Sequence, residues 1–159
     1  MTLLSLTAAQ EILAGILKES RAISLEPMTV SILDASGTLK AMVREDGSSL
    51  LRPDLAFSKA WGALGMGLPS RELNRRSELM PAFFQALNSV SNGRVVPMPG
   101  GVLVLKDDVV VGAVGVSGDT SDNDEIVAIA GIKSAGFTAD YEATTAAGSY
   151  PHLPTPAER

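Results

Sequence analysis

The sequence predicts an α+β fold, one antiparallel sheet with helices over both faces, and three observations carry that prediction. β-rich runs come in pairs separated by short turns, so neighbouring strands must run antiparallel. Segments of helical period come in blocks and do not alternate with single strands. The continuous valine runs of the second half read as central strands covered on at least one face.

Each element has a local cause. Thr7 followed by Gln10 forms a capping box, and Ala9, Ile12, Leu13, Ile16 and Leu17 recur at helical spacing, predicting a helix from Ala8 to Arg21. Pro27 leads into a strand, MTVSILDA, and Ala35-Ser36-Gly37 turns it into the second strand of a hairpin. In LLRPDLAFSKAWGALGMG, Leu55, Ala56, Lys59, Ala60, Ala63 and Leu64 recur at three and four. This is a helix with small residues on one face, ended by Gly65, Gly67 and Pro69. Ser70 opens a further helical region that restarts at Pro81, since a first turn accommodates proline. Residues 93–118 give two or three strands, with Lys106-Asp107-Asp108 as a hairpin tip and Pro97 to Gly101 as a kinked approach. A last helix follows from Ser121 to Ala135. Residues 1–140 are expected to form a single domain, and the polar, proline-rich residues 141–159 an extended or disordered arm.

Composition narrows the function classes. A formal net charge of −5 argues against nucleic-acid and anionic-membrane partners, because both need a cationic footprint. The one basic cluster, SRELNRR (Ser70 to Arg76), reads as a solvated helix start. The chain has no cysteine, which excludes disulfides, thiolate nucleophiles and cysteine-based metal sites. Its single histidine, His152, lies in the tail, so neither a Ser-His-Asp triad nor a three-histidine metal site is expected. No stretch is apolar enough to cross a membrane, and Glu11 interrupts the first apolar run before it can serve as a signal peptide. The expected location is the cytoplasm.

The stretch GAVGVSGDTSDNDEIVAIAGI (Gly112 to Ile132) is the one place where glycines and acids meet. Glycines at 112, 115 and 118 miss the dinucleotide-binding spacing, and no Gly-Lys-Ser/Thr closes a phosphate loop. A calcium loop starting at Asp119 would need glycine at Asp124 and glutamate at Ala130. The stretch therefore reads as a strand turning into a helix. Its glycines admit a close neighbour, Ser121 caps the helix, and Asp122, Asp124 and Glu125 favour the positive helix end.

PMPGGVLVLKDDVVVGAVGVSGDTSDNDEIVAIAGI, preceded by DLAFSKAWGAL, resembles the GlcG/HbpS family of haem-degrading-type proteins from Leu6 to about Phe137. The helix-initial LTAAQEIL and the hairpin VSILDASGTLKAMVREDG fit the same pattern. The resemblance implies a profilin-like sandwich of about five antiparallel strands between helices, and assembly into a homo-oligomer. It also implies haem or another planar, carboxylate-bearing ligand, while some members look like lyases acting on aromatic hydroxylamines. Leu103 stands where the family pattern GGVP has proline.

The candidate site lies between the Lys59 helix, the Pro97–Gly101 segment and the start of the last helix. Lys59 either lays its stem on apolar surface with its amine in water or binds a carboxylate at a pocket mouth and transfers protons. Glu125 either caps its helix or exchanges protons with a substrate. Arg52 pairs with a ligand carboxylate or is a surface charge, and Met98, Gly100 and Gly101 shape the rim. A haem iron would draw on Met98, Tyr141 or, if the tail folds back, His152. Phe83 and Phe84 serve core or interface packing. The reading is a small-molecule-binding protein with haem as the possible cofactor and no metal-ligand set of its own. The alternatives are a cofactor-independent lyase or isomerase, for which Lys59→Ala abolishes turnover with folding intact, and a non-catalytic partner of a metabolic enzyme.

Overall fold

The computed structural model describes residues 3–140, so the expected 141–159 arm lies outside the described residues. Five helices and five strands follow one another as α1 (Leu6–Ala22), β1 (Thr29–Asp34), β2 (Leu39–Arg44), α2 (Arg52–Met66), α3 (Ser70–Leu79), α4 (Pro81–Val90), β3 (Gly101–Lys106), β4 (Val109–Ser117), α5 (Ser121–Ser134) and β5 (Thr138–Ala139). The strands form one antiparallel sheet in the order β2-β1-β4-β3-β5. The α+β expectation holds, including the valine-rich strands at the centre.

Strand alternation sends successive side chains to opposite faces and so divides the core in two. On one face Val30, Ile32, Val102, Val104, Val114 and Val116 pack with residues of α1 and α5 such as Ile12, Ile16, Val127 and Ile132. On the other, Leu33, Leu103 and Ala113 meet Ala60 and Ala63 of α2. The small-residue stripe of α2 lets that helix lie close on the sheet. A methyl at Gly115 of β4 would overlap the Ala56 carbonyl oxygen and come within 2.8 Å of the Ala56 carbonyl carbon and 2.9 Å of the Ala60 nitrogen.

Local chemistry explains the connections. Asp107 and Asp108 take φ of 50° and 62°, the left-handed pair of a tight hairpin turn joining β3 to β4. Two helix starts differ from the expectation. Ser5, not Thr7, caps α1 by accepting from Ala8 N, and Thr120, not Ser121, caps α5 by accepting from Asn123 N. Each sequence offers two hydroxyl residues close together, and only the backbone path decides which one is non-helical. The helical region after Ser70 breaks at Met80 (φ −133°), and Pro81 restarts it as α4.

Leu103 belongs to the inner face against α2, and its backbone N–H donates to Asp140 Oδ1 at 3.1 Å. Proline at this position would have no such donor.

Candidate functional site

The site forms where the end of β4, the start of α5, the inner face of α2 and the Pro97–Gly101 segment converge. Lys59 is buried, with its side chain 3% exposed. Its ammonium donates to Asp124 Oδ2 at 2.9 Å and to the Val116 carbonyl at 2.9 Å. Neither surface expectation describes it: the amine is in neither water nor a pocket mouth. The expected helix-end role of Asp124 is also replaced. Its side chain is 1% exposed, with Oδ2 on Lys59 and Oδ1 accepting from Asp119 N at 3.0 Å. Burial lowers the Lys59 pKa and raises that of Asp124, and each charge offsets the penalty on the other. Two buried charges paired and hydrogen-bonded in this way join α2, β4 and α5.

Gly100 closes over this pair. Its φ of 117° belongs to glycine, and a side chain there would lie 3.0 Å from Lys59 Nζ and 2.8 Å from the Val116 oxygen. Gly101 lies against the Lys59 backbone carbonyl, and its N–H donates to the buried Ser70 Oγ at 2.7 Å. Both glycines therefore admit α2 and its lysine. Met98, two residues earlier, is 48% exposed.

Arg52, in the first turn of α2, is half-buried and donates to Ser117 Oγ at 3.1 Å. Its charge acts on Lys59, Asp124 and Asp119, yet among the described residues it forms no ion pair. One helical turn into α5, Glu125 is 6% exposed at its side chain. Oε1 accepts from Arg71 Nε at 2.7 Å, and Oε2 has no hydrogen-bond partner among the described residues. Burial raises the Glu125 pKa, and Arg71 opposes the rise. Arg71 also pairs with Asp122. Sequence reasoning missed Arg71, Ser70 and Ser117. Arg71 stood within the basic cluster read as a solvated helix start, and nothing in its spacing pointed fifty-four positions away to Glu125.

The structure thus brings Lys59, Gly100 and Gly101 together with Asp124 and sets Arg52 beside that group, while Glu125 forms a neighbouring cluster with Arg71. Tyr141 and His152 lie outside the described residues.

The family model described as haem degrading protein HbpS-like matches residues 4–133. The chain belongs to the HbpS-like family. Among solved structures, this HbpS-like chain is similar to a PduOC–haem complex (TM-score 0.77, 27% identity, covering 86% of this chain and 97% of the other). It is also similar to HbpS (TM-score 0.72, 25% identity, covering 84% and 90%). Corrinoid adenosyltransferase PduO of Salmonella typhimurium (strain LT2) is 33% identical over 102 residues, 64% of this chain. The matched stretch spans 30% of that longer protein. An uncharacterised 15.0 kDa protein of Citrobacter freundii from the dhaT-dhaS intergenic region is 28% identical over 127 residues, 79% of this HbpS-like chain and 87% of the relative. No helix among the described residues is long and apolar enough to cross a membrane.

Proposed function

We propose that this chain is a cytoplasmic, homo-oligomeric protein that binds a planar organic molecule bearing a carboxylate, haem foremost, beside the Lys59–Asp124 pair. The observation that carries the reading is Arg52, a half-buried guanidinium that among the described residues is held by one hydroxyl and by no carboxylate, in a chain with 18 acidic and 13 basic residues. A guanidinium with open donors recognises a carboxylate in a planar, two-point fashion. Haem fits this donor set at its carboxylate edge, and Met98 offers a soft sulfur donor at the rim. Bound haem would supply a redox-active iron. The residues named here hold and orient its edge. The PduOC–haem complex supports haem as the first ligand to test.

The test is an absorbance titration with hemin. A saturable, shifted Soret band is expected for the wild-type chain, and Arg52→Ala should weaken binding by roughly tenfold or more, the loss of a charge-assisted hydrogen bond. Met98→Ala and His152→Ala report which side chain meets the iron. If hemin gives no saturable band and planar aromatic carboxylates do not bind either, the reading fails.

A second reading has its own observation, Glu125 Oε2, which has no partner among the described residues. A buried carboxyl with one satisfied oxygen and a raised pKa is suited to proton transfer in a lyase or isomerase without a redox cofactor. Glu125→Gln should then abolish turnover of a carboxylate-bearing aromatic hydroxylamine and leave the fold intact. The fold itself reports the same pKa. A carboxyl whose folded pKa lies above its ordinary 4.5 contributes stability below that value and loses it as pH rises through the folded pKa. The melting temperature of Glu125→Gln relative to wild type should therefore climb as pH is raised through that window. Unchanged turnover in the variant removes the catalytic assignment, and a pH-independent difference in melting temperature removes the raised pKa.

A further inference from the structure

Among the described residues Arg21 pairs with Glu45, Arg71 with Asp122 and Glu125, and Arg75 and Arg76 with Glu72, while Arg94 lies over the Trp61 ring. Arg44 and Arg52 have neither a carboxylate nor a ring, and the sheet brings both to one patch. Thr29 is paired with Arg44 on β2 and with Ser117 on β4, so the three lie in one row across the sheet. Leu33, four residues along β1, packs on α2, and strand alternation turns Thr29 to that same face. Hydroxyls join the row. Thr29 Oγ1 and Ser48 Oγ, both buried, are 2.8 Å apart, and the Ser48 carbonyl accepts from Arg44 Nη1 at 2.7 Å. At the other end the buried Ser117 Oγ accepts from Arg52 Nη1, and the Arg52 backbone N–H donates to the Ser49 carbonyl at 3.1 Å. Each guanidinium is anchored by one N–H and keeps its other donors open. The nearby acids are committed elsewhere. Glu45 Oε2 accepts from Met28 N and Arg21, and Asp119 from the backbone N–H groups of Glu26 and Thr120. Arg44 also lines a cleft of about 370 Å³ in which Asp46 makes no ion pair.

We infer that the ligand of this site carries two acid groups, one held by Arg52 and the other by Arg44, so that Arg44 selects diacids over monoacids. Neighbouring strands lie about 4.8 Å apart, which sets the backbones of Arg44 and Ser117 roughly 10 Å apart on either side of Thr29. Two carboxylates on one edge of a planar molecule span such a separation, and one carboxylate does not. Charge makes the same selection. Two guanidiniums without counter-charges repel each other, and a diacid matches both where a monoacid leaves one cation unmatched.

The inference rests on the reading of Arg52 as a carboxylate anchor, and the test lets the two fail separately. Hemin, its monomethyl ester and its dimethyl ester are titrated against the full wild-type chain and against Arg44→Ala, with a thermal melt of each protein. The ester series on wild type needs no variant to fold. Wild type is expected to bind hemin about tenfold more tightly than the monoester, and Arg44→Ala to lose about tenfold for hemin, the worth of one charge-assisted hydrogen bond. The same variant should bind the dimethyl ester as wild type does. If hemin does not bind but planar aromatic carboxylates do, a mono- and a dicarboxylate of one ring system replace the esters, with the same expectations. Binding of none of these probes overturns the ligand reading and this inference with it. Saturable binding that does not distinguish diacid from monoacid overturns the inference alone. An equal loss for hemin and its dimethyl ester in Arg44→Ala also overturns it, because Arg44 then acts through the fold and not on an acid group.

Discussion

Replacing Asp124 with alanine is expected to cost about 3–5 kcal/mol of folding stability, the usual loss when one partner of a buried ion pair is removed. The Lys59 ammonium, 2.9 Å from Asp124 Oδ2 and almost wholly out of solvent, would keep only the Val116 carbonyl. Chemical denaturation of Asp124→Ala measures the loss directly. Lys59→Met should cost a comparable amount, because it leaves the carboxylate buried with only the Asp119 N–H. The double variant Lys59→Met/Asp124→Leu should recover most of it, since an apolar pair of similar volume is often as stable as the ion pair it replaces. Additive losses in the double variant would show that the two residues do not act as a pair. The same geometry changes how a catalytic test must be built. Lys59→Ala cannot leave folding untouched, so lost turnover in that variant would not identify a proton-transfer group. Arg52 and Glu125 allow cleaner tests.

Gly115→Ala is expected to destabilise the fold by at least about 3 kcal/mol, the upper range for overpacking a core. The added methyl meets backbone, the Ala56 carbonyl and the Ala60 nitrogen, and backbone on two packed elements has no rotamer with which to yield. Either α2 lifts off the sheet, loosening Ala60 and Ala63 from Leu33 and Ala113, or β4 shifts away from its neighbours. Gly65→Ala is the control. It lies in α2, the helix that packs on Gly115, with nothing within 4 Å of the added methyl, and should be neutral or gain about 0.5–1 kcal/mol of helix propensity. Thermal melts of the two variants decide the matter. A wild-type melt for Gly115→Ala would mean that α2 does not lie on β4 as closely as described.

Much of the fold was legible because its signals are short-range. Hairpin turns at Gly37 and Asp107-Asp108, the helical spacing of Ile12 and Ile16, and the proline restart at Pro81 each depend on a few adjacent residues. The glycines of the strand-to-helix stretch read as places for close approach by another backbone or a ligand; at Gly112, Gly115 and Gly118 the neighbour is backbone, and which backbone approaches Gly115 was not readable. Choices between near neighbours, Ser5 against Thr7 and Thr120 against Ser121, were decided by the path of the chain.

By itself, then, the sequence determined the elements, the α+β class and the family, because periodicity, turn chemistry and motif spacing are properties of contiguous residues. Only the tertiary structure decided the site. It set the sheet order β2-β1-β4-β3-β5 and placed Lys59 on Asp124 and Arg52 on Ser117, each across 65 positions of chain, and Arg71 on Glu125 across 54. A lysine on a small-residue helix face reads the same in sequence whether its amine ends in water or in the core. What separates the two outcomes is a buried carboxylate delivered by another element, because a charge stays out of water only where its partner is already held.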